Sequence, residues 1–250
     1  MSIALRGLKA FLRRTELLPH FYHLLNRARP TFDSLHPANL KAITQSYQQA
    51  PSGYYYEFGV YKGFSLWFAT QIADALGRQE MRFFGFDSFD GLPTPTGIDR
   101  EPDAAGNTFA RGCFCAGQKL VADFLEQYGA DMRRIALIPG FFEDVLKPDL
   151  VSQHDMRPAA LILIDCDMYQ STRTVLDFIP NILQPGTVIL FDDWLLTDEN
   201  KGQRLAYREW RQQRPAIQLE EFCDFSGGKG FRVIGLPQDT RRILSGTKGP

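Results

Sequence analysis

The sequence has almost no net charge and no long apolar run, and each shortage excludes a class of protein. Its 28 lysine and arginine residues nearly balance its 29 aspartate and glutamate residues, which leaves a formal net charge of −1. Nucleic-acid-binding domains usually carry a clear basic excess, so we expect no nucleic-acid partner. No apolar stretch approaches the ~20 residues that a membrane-spanning helix needs, so we expect no membrane span.

The sequence also lacks the signs of a secreted protein. Basic residues interrupt any apolar stretch that an N-terminal signal peptide would require: Arg6, Lys9, Arg13 and Arg14. The few cysteines contain no C-x-x-C pair and so show no metal-binding spacing: Cys113, Cys115, Cys166 and Cys223. Free thiols in a reducing compartment are the simplest interpretation, and we expect a cytoplasmic protein.

The chain divides into an N-terminal helical segment, one large domain and a tail. Residues 1–50 carry apolar residues at near-helical spacing, and we expect a cap that packs on the domain or forms a homo-oligomer interface. Residues 51–237 alternate strand-like and helix-like patterns, and residues 238–250 form the tail. Residues 94–117 form a long polar loop of the kind that often covers a substrate site.

The alternation within residues 51–237 predicts a mostly parallel sheet. Five strand-like runs are separated by helical patterns, which indicates repeated βαβ units with helices on both faces of the sheet: residues 54–60, 82–86, 135–138, 159–165 and 186–191. Two further runs, near residues 217–223 and 230–234, predict an antiparallel C-terminal hairpin. We therefore expect a Rossmann-like α/β fold with seven strands, in which ligands bind beyond the carboxyl ends of the strands.

The first strand ends in the pattern E-x-G-x-x-x-G, formed by Glu57, Gly59 and Gly63. Glycines at these positions let the backbone turn tightly and approach a ligand. The pattern is neither the dinucleotide motif G-x-G-x-x-G nor a P-loop, and an acid suits a cationic ligand without phosphate. S-adenosylmethionine fits this description. The alternative is a glycine-rich turn with no ligand.

The ends of the next two strands extend this hypothesis. Asp87 ends the second strand, where an acid often accepts hydrogen bonds from ribose hydroxyls; alternatively, it forms a turn with its own backbone. Gly140 and Phe141 follow the third strand and are candidates for lining an adenine pocket, although Phe141 fits the core equally well. Together these positions predict a site for an adenosine-containing cofactor.

Four carboxylates follow the fourth and fifth strands: Asp165, Asp167, Asp192 and Asp193. Adjacent parallel strands bring such residues to one edge of the sheet, where four acids repel one another. A hard divalent cation such as Mg²⁺ accounts for them, because it prefers oxygen ligands. The alternative is that these acids cap the helices that follow.

At these positions the sequence resembles the macrocin and mycinamicin type of O-methyltransferase, which methylates deoxysugar hydroxyls on macrolides. The resemblance runs from about residue 54 to residue 234 and rests on E-F-G-V-Y-K-G-F-S, F-D-S-F-D-G-L-P, G-F-F-E-D-V-L, I-D-C-D-M-Y-Q-S-T and F-D-D-W, and it extends to the helix G-Q-R-L-A-Y-R-E-W. It implies a class I methyltransferase fold with S-adenosylmethionine and Mg²⁺. The implied metal ligands are Asp165, Asp192 and Asp193. The implied cofactor residues are Glu57, Gly59, Tyr61, Gly63, Ser65, Asp87 and Ser88, to which we add Gly140, Phe141 and Asp165.

Catechol and caffeoyl-coenzyme A methyltransferases look like more distant relatives. Many of them place a lysine base three residues after the first acid, where this chain has Met168. The catalytic base is therefore a carboxylate (Asp165 or Asp167) or a residue of loop 94–117. A third alternative is that no side chain acts as the base and that the metal promotes loss of the proton to water.

The sequence thus predicts a metal-assisted O-methyltransferase that acts on a hydroxyl of a small molecule, with a natural-product sugar favoured by the resemblance. A catechol-like diol is an alternative acceptor. A catalytically silent, cofactor-binding scaffold is a second alternative, against which the complete set of acids argues. A nicotinamide oxidoreductase is a third, but the chain has neither G-x-G-x-x-G nor a Tyr-x-x-x-Lys dyad.

Overall fold

The structure is a computed structural model, and it describes residues 37–102, 108–195, 199–225 and 227–237. Most of the predicted cap and all of the predicted tail therefore lie outside the described residues, as does the proposed oligomer interface within residues 1–36. Among the described residues, no helix combines the length and apolar character needed to cross a membrane. All four cysteines are free thiols, as predicted.

The central element is a seven-stranded sheet. Its strands are β1 (Tyr54–Phe58), β2 (Phe83–Asp87), β3 (Ile135–Pro139), β4 (Ala159–Ile164), β5 (Val188–Phe191), β6 (Gln218–Phe225) and β7 (Gly228–Gly235). The helices of the described residues are α1 (Pro37–Gln49), α2 (Phe64–Ala75), α3 (Gln118–Gln127), α4 (Phe142–Val145), α5 (Leu150–Gln153), α6 (Tyr169–Phe178) and α7 (Gly202–Gln213). Short 3₁₀ turns cover Gly97–Arg100, Met132–Arg134 and Ile179–Asn181.

The strand order confirms the predicted fold class. The strands lie in the order β3-β2-β1-β4-β5-β7-β6, and β1 to β5 pair in parallel. Strand β7 pairs antiparallel with both β5 and β6, as the predicted hairpin requires. The chain runs outward from β1 to β3 and then returns to β4, so the order reverses between β1 and β4. This switch point is where α/β sheets bind their ligands.

Alternating side chains of the central strands fill a separate core on each face of the sheet. Phe58 points to one face, where its ring stacks on that of Phe86 at 4.8 Å between centroids. Tyr55 points to the other face, where it packs against Phe83 and against Tyr47 of α1. Helix α1 contacts α2, β4 and β6, so this part of the predicted cap packs on its own domain.

The structure differs from the sequence-based expectation mainly at element ends and in short elements. The sequence pattern over residues 171–183 predicts a helix. In the structure this helix starts earlier, at Tyr169, and ends at Phe178 because the chain tightens into a 3₁₀ turn around Pro180. Helices α4 and α5 were not predicted, since four residues are too few to show a helical period. Loop 94–117 contains the 3₁₀ turn Gly97–Arg100 where an irregular loop was expected.

Candidate active site

Strand register places the key acids of β4 and β5 side by side. Phe58 is paired with Ile164, and Ile164 is paired with Phe191, so β1, β4 and β5 end level with one another. The ladder then continues for one more residue. The Asp165 N–H donates to the carbonyl of Phe58 at 2.8 Å, and the Asp192 N–H donates to the carbonyl of Ile164 at 3.0 Å. Regular parallel pairing therefore fixes the backbone of both acids.

The two glycines after β1 are needed for close packing of the turn. Gly59 has a φ of +93°, and a Cβ built there would lie 1.6 Å from the carbonyl oxygen of Asp165. Gly63 has a φ of +82°, and its Cβ would lie 2.9 Å from Val121 Cγ1. Both positions combine a left-handed backbone with a lack of space, which only glycine tolerates well. The β1–α2 turn can thus lie directly against the Asp165 backbone.

Three of the predicted acids form one cluster. A carboxylate oxygen from each of Asp165, Asp192 and Asp193 lies within 4.8 Å of the others. Burial raises the pKa of Asp165 and Asp193, and the neighbouring carboxylates raise both further. Burial also raises the pKa of Asp192 to about 6. Asp193 is buried and the other two acids are half-buried. Like charges this close are unfavourable by themselves, and three oxygen donors at this spacing fit a hard cation such as Mg²⁺.

Asp167 lies beside this cluster in a turn of unusual backbone conformation. Its φ is +59°, a left-handed value that Asp tolerates better than most residues. Its N–H donates to Asp193 Oδ2 at 3.0 Å. Burial raises the pKa of Asp167 to about 7, with a further contribution from Asp192. The β4 turn and the β5 turn are therefore linked through their acids.

Gln203 of α7 supports the cluster, although the sequence analysis did not single it out. Its side chain has no exposed surface. Gln203 Oε1 accepts a hydrogen bond from the Asp193 N–H at 3.1 Å, and its Nε2 donates to the Ile164 carbonyl at 3.1 Å and to Asp193 Oδ2 at 3.3 Å. A glutamine among polar residues on an amphipathic helix gives no such signal in the sequence.

The strand ends and loop 94–117 enclose a cavity of about 380 Å³, the main cavity. Its wall includes most of the predicted site residues: Gly59, Tyr61, Asp87, Ser88, Gly140, Phe141, Asp165, Asp167, Asp192 and Asp193. Leu92, Pro93 and Phe114 form an apolar part of the wall, and the Phe114 ring meets Tyr61 edge-on at 5.8 Å. The structure thus brings both predicted groups, the cofactor residues and the acids, to one cavity.

A smaller cavity of about 100 Å³, the side cavity, lies next to the same acids. Tyr61, Asp165 and Asp192 line both cavities. Ser65, a predicted cofactor residue outside the main cavity, lines the side cavity together with Lys62. Asp165 and Asp192, which follow β4 and β5, thus lie in the walls of both cavities.

Glu57 lies behind this wall and lines neither cavity. Its side chain has no exposed surface, and its carboxylate accepts hydrogen bonds from Ser65 Oγ at 2.7 Å and from the Tyr55 hydroxyl at 2.5 Å. Burial raises the pKa of Glu57 to about 8, although the two hydrogen bonds lower it. The predicted contact between Glu57 and a cationic ligand stays a prediction, and Ser65 separates the acid from the side cavity.

Asp87 holds the β1–α2 turn as well as lining the main cavity. Its Oδ2 accepts from the N–H groups of Val60 at 2.8 Å and Tyr61 at 3.0 Å, and its Oδ1 accepts from the Phe89 N–H at 2.7 Å. The bond to Phe89, two residues on, is the turn role that the sequence analysis considered. Asp87 also lines the main cavity, and its predicted contact with ribose hydroxyls stays a prediction.

Comparison with known proteins gives a family, one curated relative and a set of similar folds. The family model described as macrocin O-methyltransferase (TylF) matches residues 33–225. The curated relative is the 8-demethyl-8-(2,3-dimethoxy-alpha-L-rhamnosyl)-tetracenomycin-C 4'-O-methyltransferase of Streptomyces olivaceus. It is 28% identical over 144 residues, which are 56% of this chain and 52% of the relative, so the match spans about half of that protein.

Two solved structures show the same fold at low sequence identity. The O-methyltransferase NovP has a TM-score of 0.67 at 20% identity, over 79% of this chain and 80% of its own. TomG from Streptomyces achromogenes, described as an O-methyltransferase in complex with SAM, has a TM-score of 0.55 at 13% identity, over 87% of this chain and 90% of its own. Because the family model covers well over half of the sequence, the chain belongs to the macrocin O-methyltransferase family.

Proposed function

We propose that this chain is an S-adenosylmethionine-dependent O-methyltransferase that transfers a methyl group to a hydroxyl of a small molecule, with a natural-product sugar as the acceptor class. The observation that carries the proposal is the shared wall of the main cavity. Cofactor residues after β1 and β2 and the acids after β4 and β5 line that one space. The family membership and the curated relative, named for methylating a rhamnosyl hydroxyl, support the same function.

The two adjoining cavities suit the two parts of S-adenosylmethionine. Asp87, Ser88 and Phe141 of the main cavity offer two polar groups and an aromatic wall for the adenosine. The side cavity offers Ser65 and Lys62 for a carboxylate. Asp165 lies between the two cavities, where its negative charge suits a cationic ligand. The TomG structure with SAM supports this assignment at the level of the fold.

The acid cluster supports a divalent metal at the acceptor side of the site. Asp165, Asp192 and Asp193 would hold Mg²⁺ through carboxylate oxygens. A bound Mg²⁺ lowers the pKa of an acceptor hydroxyl and orients it toward the methyl donor. Asp167 lines the same cavity and is the carboxylate that we assign to accept the hydroxyl proton.

The apolar residues that line the main cavity orient the reactants and exclude water. Leu92, Pro93 and Phe114 line the main cavity on its apolar side. Holding an acceptor oxygen in line with a methyl group provides much of the rate of such a transfer, because the bimolecular reaction becomes effectively unimolecular. Water excluded from the cavity cannot compete as the acceptor.

Calorimetric titration with S-adenosylhomocysteine, with and without Mg²⁺ and with NAD as a control, tests the cofactor assignment. We expect micromolar binding of S-adenosylhomocysteine and none of NAD. Incubation with S-adenosylmethionine and the tetracenomycin rhamnoside of the curated relative, or with a catechol, then tests the acceptor class. If only the catechol is methylated, the acceptor class is a catechol-like diol and not a sugar. If the protein binds the cofactor but methylates neither probe, the result favours a catalytically silent, cofactor-binding scaffold.

The Asp192→Asn variant tests the role of the cluster. We expect it to abolish transfer and to keep its affinity for S-adenosylhomocysteine. Asp123→Asn on α3 is the matched control, because Asp123 is exposed and pairs with Lys119 away from both cavities. Absence of S-adenosylhomocysteine binding in the wild-type protein would remove the central claim.

A further inference from the structure

The segment between β2 and α3 is fastened at its base beside the main cavity. The Leu92 N–H donates to the Cys113 carbonyl at 2.8 Å, and the Gly112 N–H donates to the Leu92 carbonyl at 2.9 Å. Leu92 and Phe114, at this base, both line the main cavity. Any movement of the segment away from the protein therefore changes the cavity wall.

A second attachment lies at Asp99, within the 3₁₀ turn Gly97–Arg100. The Asp99 side chain is buried, with 5% of the residue exposed. Its Oδ1 accepts from the Tyr169 N–H at 2.7 Å, and its Oδ2 accepts from the Gln170 N–H at 3.1 Å. These are the first two residues of α6. The residue before them, Met168, has no side chain able to cap the helix, so Asp99 supplies the acceptors that the helix start lacks.

Helix α6 begins directly after the turn that carries Asp167. That turn is anchored on one side by β4 and on the other by the first residues of α6, and Asp167 itself has a left-handed backbone. A left-handed residue keeps its conformation only where its surroundings fix it. The Asp193 carboxylate fixes its N–H, and Asp99 fixes the helix start two residues later.

The same part of the segment is also attached to the start of α7. Lys201 Nζ lies 2.9 Å from a carboxylate oxygen of Glu101 and donates to the Pro102 carbonyl at 3.1 Å. Lys201 immediately precedes α7, and Gln203 in the first turn of α7 holds Asp193. The stretch 99–102 thus contacts the starts of both helices that follow the acid-bearing strands.

We propose that Asp99 is a positioning residue that joins the wall of the main cavity to the turn carrying Asp167. Asp99 holds the start of α6, which keeps Asp167 at its place beside Asp193 and keeps Leu92 and Phe114 against the cavity. The kinetic consequence rests on the proposed function, whereas the mechanical link between the segment and the turn does not.

Hydrogen–deuterium exchange on Asp99→Ala, Asp99→Asn and the wild-type protein tests the link without any acceptor. In Asp99→Ala we expect faster exchange in two separate stretches, residues 92–102 and residues 165–172. Asp99→Asn keeps one of the two acceptor oxygens at the helix start and should recover part of the protection. Asp131→Ala is the matched control. Asp131 caps the turn Met132–Arg134 through the Arg133 N–H at 3.1 Å, and this turn precedes β3 at the opposite end of the strands.

Steady-state methyl transfer to the tetracenomycin rhamnoside supplies the functional readout. For Asp99→Ala we expect kcat to fall by about 100-fold, the scale of a misplacement of roughly 1 Å, with unchanged affinity for S-adenosylhomocysteine. Asp99→Asn should restore part of kcat, and Asp131→Ala should leave it unchanged.

Two results would overturn the proposal. One is faster exchange in Asp99→Ala that stays within residues 169–172 and leaves residues 92–102 as protected as in the wild-type protein. The other is an equal loss of kcat in Asp99→Ala and Asp131→Ala, which would indicate general destabilisation. Failure of the proposed function is distinguishable, because a wild-type protein that binds no S-adenosylhomocysteine would still give a clear exchange result.

Discussion

Glu57 should make the stability of this protein fall as the pH rises through neutrality. Its pKa in the folded protein is raised from the usual 4.5 to about 8, chiefly by burial. The unfolded chain releases this proton near pH 4.5, whereas the folded protein retains it to about pH 8. The stabilisation from protonated Glu57 is therefore fully present below pH 4.5 and is lost as the pH rises through about 8.

The size of the effect follows from the same two values. At about 1.4 kcal/mol for each pH unit, the interval from 4.5 to about 8 corresponds to about 5 kcal/mol, of which about 3 kcal/mol falls between pH 5.5 and pH 8. For a domain of this size that loss corresponds to a Tm lower by about 6 to 12 °C. Glu57→Gln removes the titration and keeps the shape and a hydrogen-bonding amide beside Tyr55 and Ser65.

The assay is urea denaturation of the wild-type protein and Glu57→Gln at pH 5.5, 7 and 8, with a chelator to remove metal. Other carboxyls titrate in both proteins, so their contributions cancel in the difference. The stability of the wild-type protein relative to Glu57→Gln should fall by about 3 kcal/mol across this range. Tyr55→Phe removes a hydrogen bond that lowers the pKa of Glu57 and should move the fall to higher pH. A difference between wild type and Glu57→Gln that is constant with pH would refute the reasoning.

Two further predictions concern the strand ends. Mg²⁺ at a hundred times its Kd should stabilise the protein by about 2.7 kcal/mol and raise its Tm by about 5 to 10 °C in a thermal melt. An equal rise in the Tm of Asp192→Asn would contradict binding at the cluster. Gly59→Ala should cost about 3 kcal/mol or more in urea denaturation, because its Cβ would overlap the Asp165 carbonyl at a left-handed φ. Gly77→Ala, at a φ of +70° with no atom within 4 Å, is the matched control and should cost about 1 kcal/mol; equal losses would show that the close approach at Gly59 is unimportant.

The parts of the site that could be predicted are those that follow from sheet topology. Parallel strands of a βαβ fold end at one edge, so acids immediately after two neighbouring strands must lie close together. This rule needs only the strand ends, and the runs before Asp165 and Asp192 are apolar enough to locate them within a residue or two. The glycine pattern after β1 was visible for a similar reason, since a close approach of two backbones requires glycine at a fixed position.

The parts that escaped prediction depend on contacts between residues far apart in the chain. Asp99 and Tyr169 are 70 residues apart, and Asp193 and Gln203 meet only because α7 packs beside β5. Neither contact leaves a periodic pattern, and the motif G-Q-R-L-A-Y-R-E-W, which includes Gln203, does not indicate what Gln203 contacts. Glu57 shows a different limit. Its position near the end of β1 predicts that it lies near a ligand, but the alternation of side chains along the strand places it on the same face as Tyr55, inside the core.

The acids of the core and of the site differ in the interactions that offset the unfavourable burial of their carboxyl groups. This difference is the strongest argument for the proposed metal. Glu57 holds its proton near neutral pH and accepts from two hydroxyls. Asp87 accepts three backbone N–H groups, and Asp99 accepts two at a helix start. In the cluster, Asp193 Oδ2 accepts hydrogen bonds from the Asp167 N–H and from Gln203 Nε2, yet the neighbouring carboxylates still raise the pKa of Asp193. Hydrogen bonds can compensate a single buried acid, but they cannot remove repulsion within a group of three, whereas a divalent cation can. The proposed Mg²⁺ would balance the charge of these three acids, and we therefore expect it to stabilise the fold before any acceptor binds.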